Sequence, residues 1–130
     1  MTWKFFRWLT VAATLIPLAA VARPATAGTT VTCAYTVNSS WIGGFTASVS
    51  ITNNGPAISG WTLGWTFTTP TADVHGWAAV ITEQPGNRAT ATNVSWNSTI
   101  PAASTLSFGW SAAAISTGVP TDLTINGNPC

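Results

Sequence analysis

Asp73, Glu83 and Asp122 are the only carboxylate side chains in this 130-residue sequence, and His75 is its only imidazole. Acid–base hydrolysis of a glycoside needs two carboxylates across the scissile bond. Each of these three sits in a turn-like or strand-end context and reads as a solvated surface acid. One histidine cannot build a His-based nucleophile triad or a two-His metal brace. The serines and threonines include no G-x-S-x-G elbow, and no glycine loop cradles a phosphate. Two cysteines and one histidine are too few for an ordinary closed zinc site without other ligands. The expectation is therefore no catalytic residue, no metal and no cofactor. Tryptophan, by contrast, is in excess at eight residues. An exposed indole is a rigid apolar plate with one N–H to spare, and several together mark a surface with a partner.

Strand parity sorts these indoles. Trp61 and Trp65 alternate with Leu63 and Phe67, and Trp110 with Leu106 and Phe108, which places all three in the core. Trp41, Trp77 and Trp96 instead have small or polar neighbours: Ser39-Ser40-Trp41, His75-Gly76-Trp77 and Ser95-Trp96-Asn97. In Gly76–Thr82, Ala78 and Val80 can face the core, which sends His75, Trp77 and Ala79 to the opposite side. A β-1,4-glucan holds its hydroxyls equatorial, so each ring presents an apolar C–H face on which an indole can stack. An uncharged patch of three indoles suits such a neutral, flat, repetitive ligand. The residue chemistry alone leaves stacking and ordinary burial equally open.

The elements that must position them are strands. Phe45–Ile51, Trp61–Phe67 and Leu106–Trp110 alternate with period two and are rich in β-branched and aromatic residues. Turn chemistry recurs every eight to twelve residues, as at Asn53-Asn54-Gly55-Pro56 and Pro85-Gly86-Asn87. This pattern predicts an all-β fold, an antiparallel β-sandwich. Ahead of it, Lys4 and Arg7, the apolar run Leu9–Ala22 and Ala25-Thr26-Ala27 describe a secretory signal peptide over residues 1–27. The apolar run is too short to span a membrane. Removal of that leader leaves residues 28–130, one domain, with Arg88 set against three acids. That balance excludes a nucleic-acid or anionic-membrane footprint and favours an uncharged partner. In an exported chain, Cys33 and Cys130 are expected to form one disulfide closing the two ends of the domain.

Cys33, Tyr35-Thr36-Val37, Trp41-Ile42-Gly43-Gly44-Phe45-Thr46-Ala47, Ile51-Thr52-Asn53, Gly60-Trp61-Thr62-Leu63, Trp96-Asn97, Ile100-Pro101-Ala102, Phe108-Gly109 and Asn126-Gly127 with Cys130 resemble a family 2 carbohydrate-binding module. These are the cellulose-binding domains of secreted actinobacterial cellulases and xylanases, and the resemblance spans essentially all of 28–130. It implies about nine strands, a terminal disulfide, and a flat face on which Trp41, Trp77 and Trp96 stack on polysaccharide without turnover. Trp61 matches the family's buried tryptophan. The xylan-binding subgroup carries an arginine three positions after its first stacking tryptophan; Gly44 stands there here, which favours cellulose.

Where family members flank the indoles with Asn and Gln, this chain has Ser48, His75, Ser107 and Ser111, which leaves chitin as a second ligand. Trp110 replaces a usual Phe. The partner implied is insoluble β-1,4-linked polysaccharide, bound by a secreted monomer; a protein-interaction face built from the same tryptophans is the alternative. The sequons at Asn38, Asn93 and Asn97 read as chance matches in a bacterial secretion context.

Overall fold

The alternation along Phe45–Ile51 builds the middle of the fold. Phe45, Ala47, Val49 and Ile51 are buried, while Thr46, Ser48 and Ser50 face the other way. In the computed structural model, which describes residues 30–130, this segment belongs to a four-stranded antiparallel sheet. Its strands, in spatial order, are β1 (Val31–Trp41), β2 (Gly44–Asn53), β9 (Ser104–Ala114) and β5 (Thr71–Trp77). A second sheet contains β11 (Asn128–Pro129), β10 (Thr124–Ile125), β4 (Thr62–Thr66), β7 (Arg88–Thr92) and β6 (Val80–Gln84) in that order. A short ladder pairs β3 (Ile58–Ser59) with β8 (Thr99–Ile100).

The expected all-β sandwich is thus observed. Among the described residues eleven strands stand where about nine were expected. Four of them, β3, β8, β10 and β11, are two-residue pairings too short to carry a period-two signal. The expected signal peptide, residues 1–27, lies outside the described residues.

The core is aromatic. Trp61 stacks on Phe108 at 5.3 Å and Trp65 on Trp110 at 4.8 Å, with Tyr35 edge-on to Trp110 at 5.4 Å. All three tryptophans assigned to the core are therefore buried there. Burial pushes the Tyr35 hydroxyl well above the ordinary phenol range, so it stays neutral. The Arg88–Asp122 pair is 3.3 Å apart on a wet surface, a geometry worth little to stability. Partial burial acts against ionisation of Asp122, but hydrogen bonds from Thr66 and the nearby Arg88 hold its pKa below the usual value.

One parity assignment fails. Ala79 is in the core and Val80 is exposed, the reverse of the expected alternation. Ala78 has φ 61°, and this left-handed residue reverses the chain between β5 and β6, which belong to different sheets. Period two cannot be carried across such a break.

The disulfide joins Cys33 of β1 to Cys130, 97 residues apart in sequence, and Cys33 N–H also donates to the Cys130 carbonyl at 3.2 Å. On the chain-entropy estimate, a loop of this length contributes up to ~4.7 kcal/mol. Reduction is expected to lower the melting temperature by about 15 °C or more. Calorimetry with and without reductant checks this; an unchanged transition would show that the cross-link does not stabilise the domain.

Candidate functional site

The outer face of the β1-β2-β9-β5 sheet gathers six of the seven residues expected to bind ligand. On β2, Thr46, Ser48, Ser50 and Thr52 point outward; on β9 the outward positions are Thr105, Ser107, Gly109, Ser111 and Ala113. Hydroxyls pair across this face, Ser39 with Thr46 at 2.6 Å, Ser50 with Ser107 at 3.0 Å and Thr52 with Thr105 at 3.2 Å. Asn38 and Ser48 exchange bonds at 3.2 and 3.3 Å. The result is a hydroxyl-lined floor.

Two β-bulges bring the indoles to this floor. In β1 the inward positions are Val31, Cys33, Tyr35 and Val37, and strict alternation would turn Trp41 inward too. The register shifts between Val37 and Ser39, so that Ser39 faces Thr46 and Trp41 faces Gly44 on the outer side. In β5 the register shifts between Ala72 and His75, where Asp73 takes φ 54°. That shift places Ala72, His75 and Trp77 on one face, opposite Ala113, Ser111 and Gly109. An extra residue in a strand re-aims the side chains beyond it, and here it does so twice, toward the same side.

Each of these tryptophans lies over a glycine that is its direct cross-strand partner. A Cβ on Gly44 would stand 2.8 Å from Trp41 Nε1, and one on Gly109 would stand 2.5 Å from Trp77 Cζ2. The missing side chains therefore let the rings lie down on the sheet. Trp41 is 53% exposed and Trp77 49%. Gly109 pairs with Ser48, four residues along β2 from Gly44, so the two seats are about 14 Å apart along the strand. His75 and Ser111 occupy the row between them, facing each other.

Gly109→Ala is expected to lift the Trp77 ring and crowd the Ala47 carbonyl, 2.8 Å from the new Cβ. Overpacking of this kind costs about 1–3 kcal/mol. The variant should melt lower and adsorb ligand more weakly with every tryptophan retained. A variant equal to the parent in both respects would refute the seat.

Trp96 is the residue not on the sheet. It is 75% exposed on the loop between β7 and β8. Buried Asn97 fixes that loop: its Nδ2 donates to the Ala78 carbonyl at 2.6 Å, and its Oδ1 accepts from Val94 N–H at 2.8 Å. Ala78 directly follows Trp77, so the loop is pinned at the end of β5. Trp41 thus stands near the start of β5 and Trp77 at its end, and the loop that carries Trp96 is tied to the residue that follows. Ser107 lies one outward position past Gly109, away from the Trp41 end. Among the described residues, every ring–ring contact is in the core and none involves these three indoles.

The carboxylates do not converge. Asp73 sits in the β5 bulge, Glu83 on β6 in the other sheet, and Asp122 beside Arg88 before β10. Sequence reasoning missed Asn38, Thr46 and Ser50 on the floor, although the parity of Phe45–Ile51 already sends Thr46 and Ser50 outward. It also missed the clamps Asn93 and Asn97, whose sequons had drawn attention instead. Asn93 Oδ1 accepts from Trp61 N–H at 3.0 Å, a contact across 32 residues.

Comparison with known proteins agrees with this architecture. The chitin-binding domain of Chi18aC from Streptomyces coelicolor is 34% identical, with a TM-score of 0.65 over 78% of this chain and 95% of that one. The cellulose-binding family 2 carbohydrate binding domain from ScLPMO10C is 29% identical, with a TM-score of 0.56 over 72% and 91%. A stretch of 45 residues is 56% identical to Endoglucanase E-5 of Thermobifida fusca; the match spans 35% of this chain but 9% of that enzyme's length. Residues 31–130 match the model of the cellulose binding domain family, and the chain belongs to that family, the family 2 carbohydrate-binding modules.

Proposed function

We propose that this domain adsorbs to the flat face of an insoluble β-1,4-linked polysaccharide, cellulose first, through stacking on Trp41, Trp77 and Trp96. The observation that carries this reading is the exposure of Trp41 and Trp77 on one hydroxyl-lined sheet face, with exposed Trp96 on a loop tied to the end of β5. Stacking buries indole surface against the sugar C–H faces, and the hydroxyls of Ser48, Ser107 and Ser111 with His75 meet the rim of the chain. Family membership and neighbours that bind cellulose or chitin support polysaccharide as the ligand class. The scattered carboxylates support binding without turnover by this domain. A disulfide bridging the domain's ends supports an extracytoplasmic setting. Chitin is the second reading, favoured by the identity to the Streptomyces coelicolor domain.

The test is an adsorption isotherm of the purified protein on microcrystalline cellulose, chitin and insoluble xylan, beside a W41A/W77A/W96A variant. Saturable binding that the variant loses is the expected result. Equal adsorption by a folded variant would overturn the site, and no binding to any of the three would overturn the function in favour of a protein partner.

A further inference from the structure

The loop between β7 and β8 is tied at both ends to one neighbour. Asn93 N–H donates to the Trp61 carbonyl at 3.2 Å, Asn93 Oδ1 accepts from Trp61 N–H at 3.0 Å, and Gly60 N–H donates to the Ser98 carbonyl at 2.6 Å. The Trp61 indole N–H adds a bond to the Asn97 carbonyl at 2.9 Å. These bonds hold the loop to Gly60 and Trp61, just before β4, whose sheet is not the one that carries Trp41 and Trp77. On the reading above, however, Trp96 acts together with Trp77, which ends β5. Among the described residues, one hydrogen bond runs from this loop to the end of β5, from Asn97 Nδ2 to the Ala78 carbonyl at 2.6 Å.

We infer that Asn97 is a positioning residue for the binding face: its carboxamide fixes Trp96 relative to Trp77, so the two indoles meet the polysaccharide as one pre-set pair. The inference rests on the stacking reading above and adds a residue that touches no ligand. Asn97 is 7% exposed, too buried to be a contact itself. The two ends of its side chain serve different partners. Oδ1 accepts from Val94 N–H at 2.8 Å, which shapes the loop from within, and Nδ2 reaches Ala78, which joins the loop to β5. Ala78 has φ 61°, a costly conformation for alanine that persists only where its surroundings hold it. An ordered chain on a solid cannot bend to meet a displaced indole. Without the clamp, the Trp96 loop has to be ordered afresh on every encounter, and that entropy is lost from adsorption.

The test is a double-mutant cycle on the solid that the parent binds, read below the melting temperature of every variant. Asn97→Ala and Trp96→Ala are compared singly and together. The bonds to Gly60 and Trp61 use the Asn97 backbone and other residues, so the Asn97→Ala fold is expected to survive. Asn97→Ala should lower adsorption about threefold to tenfold in the parent, and by less than about twofold once Trp96 is alanine. The Trp96 backbone amide should be ordered in the parent, and its NMR order parameter should fall below about 0.6 in Asn97→Ala while that of Trp77 is unchanged. Asn97→Asp, which keeps the acceptor for Val94 and loses the donor to Ala78, replaces the alanine variant if that one does not fold. Equal losses with and without Trp96, no loss in either background, or an ordered Trp96 in the variant would overturn the positioning role. Failure of both variants to fold would overturn it too, by making Asn97 a residue of the core alone. A parent that binds no polysaccharide would remove the stacking reading itself.

Discussion

Replacing Trp77 with alanine is expected to reduce adsorption to the preferred polysaccharide by about thirtyfold while leaving the melting temperature within a few degrees of the parent. The size follows from position. On the proposed reading Trp77 is the middle contact, about 14 Å along the sheet from the Trp41 seat and next to Ala78, to which the Trp96 loop is tied, so its loss would split the contact in two. Central aromatic anchors of this kind are worth ~2 kcal/mol or more, and 2 kcal/mol is roughly thirtyfold in affinity. Fold stability should change little, because 49% of the side chain is already in water and its ring covers a glycine rather than plugging the core. Trp41→Ala and Trp96→Ala should cost less each, since either leaves two neighbouring indoles able to grip one chain. Isotherms on the same solid, with thermal denaturation in parallel, separate the two effects. A folded Trp77→Ala variant with unchanged adsorption would move the binding site elsewhere on the molecule.

Much of this arrangement was legible in the residues, and the boundary of legibility has a physical cause. Parity works where one strand stays in register beside its neighbours. Phe45 to Ile51 obey it residue by residue, and Trp61, Trp65 and Trp110 were assigned to the core for the same reason. Parity fails where the backbone inserts a residue or takes a left-handed turn. Ala79 and Val80 exchange faces after Ala78, and nothing in an Ala-Ala-Val run announces that. Trp41 shows the reverse case. Counted along β1 it belongs inside with Tyr35 and Val37, and only the shift at Asn38 brings it out; its exposure was inferred from polar neighbours, not from alternation. The glycine seats and the asparagine clamps depend on contacts between distant segments. Gly109 is meaningful once Trp77 is known to be its partner, and Asn97 once the Ala78 carbonyl is known to be beside it. Both are consequences of tertiary register, which no local pattern encodes.

The largest effect on the fold is expected from Trp61→Ala, which should remove ~3–5 kcal/mol, enough to unfold much of a domain whose total stability lies in the ordinary range. Trp61 is 1% exposed, stacks on Phe108 at 5.3 Å, and donates its indole N–H to the Asn97 carbonyl at 2.9 Å. Its backbone carbonyl also accepts from Asn93 N–H at 3.2 Å. This one residue therefore holds the inner surface of the sandwich and the base of the loop that presents Trp96. Trp61→Phe separates the two roles. It keeps an aromatic ring against Phe108 but leaves the buried Asn97 carbonyl without its donor, a cost of about 1–3 kcal/mol. The Phe variant should fold, melt lower, and adsorb more weakly because the Trp96 loop has lost an anchor, although no binding residue has been touched. Melting curves and isotherms for both variants test this. A Trp61→Ala protein with the parent's melting temperature would place the residue outside the core. A Trp61→Phe protein with lowered stability but full adsorption would show that Asn97 alone, through Ala78 and Val94, holds Trp96 in place.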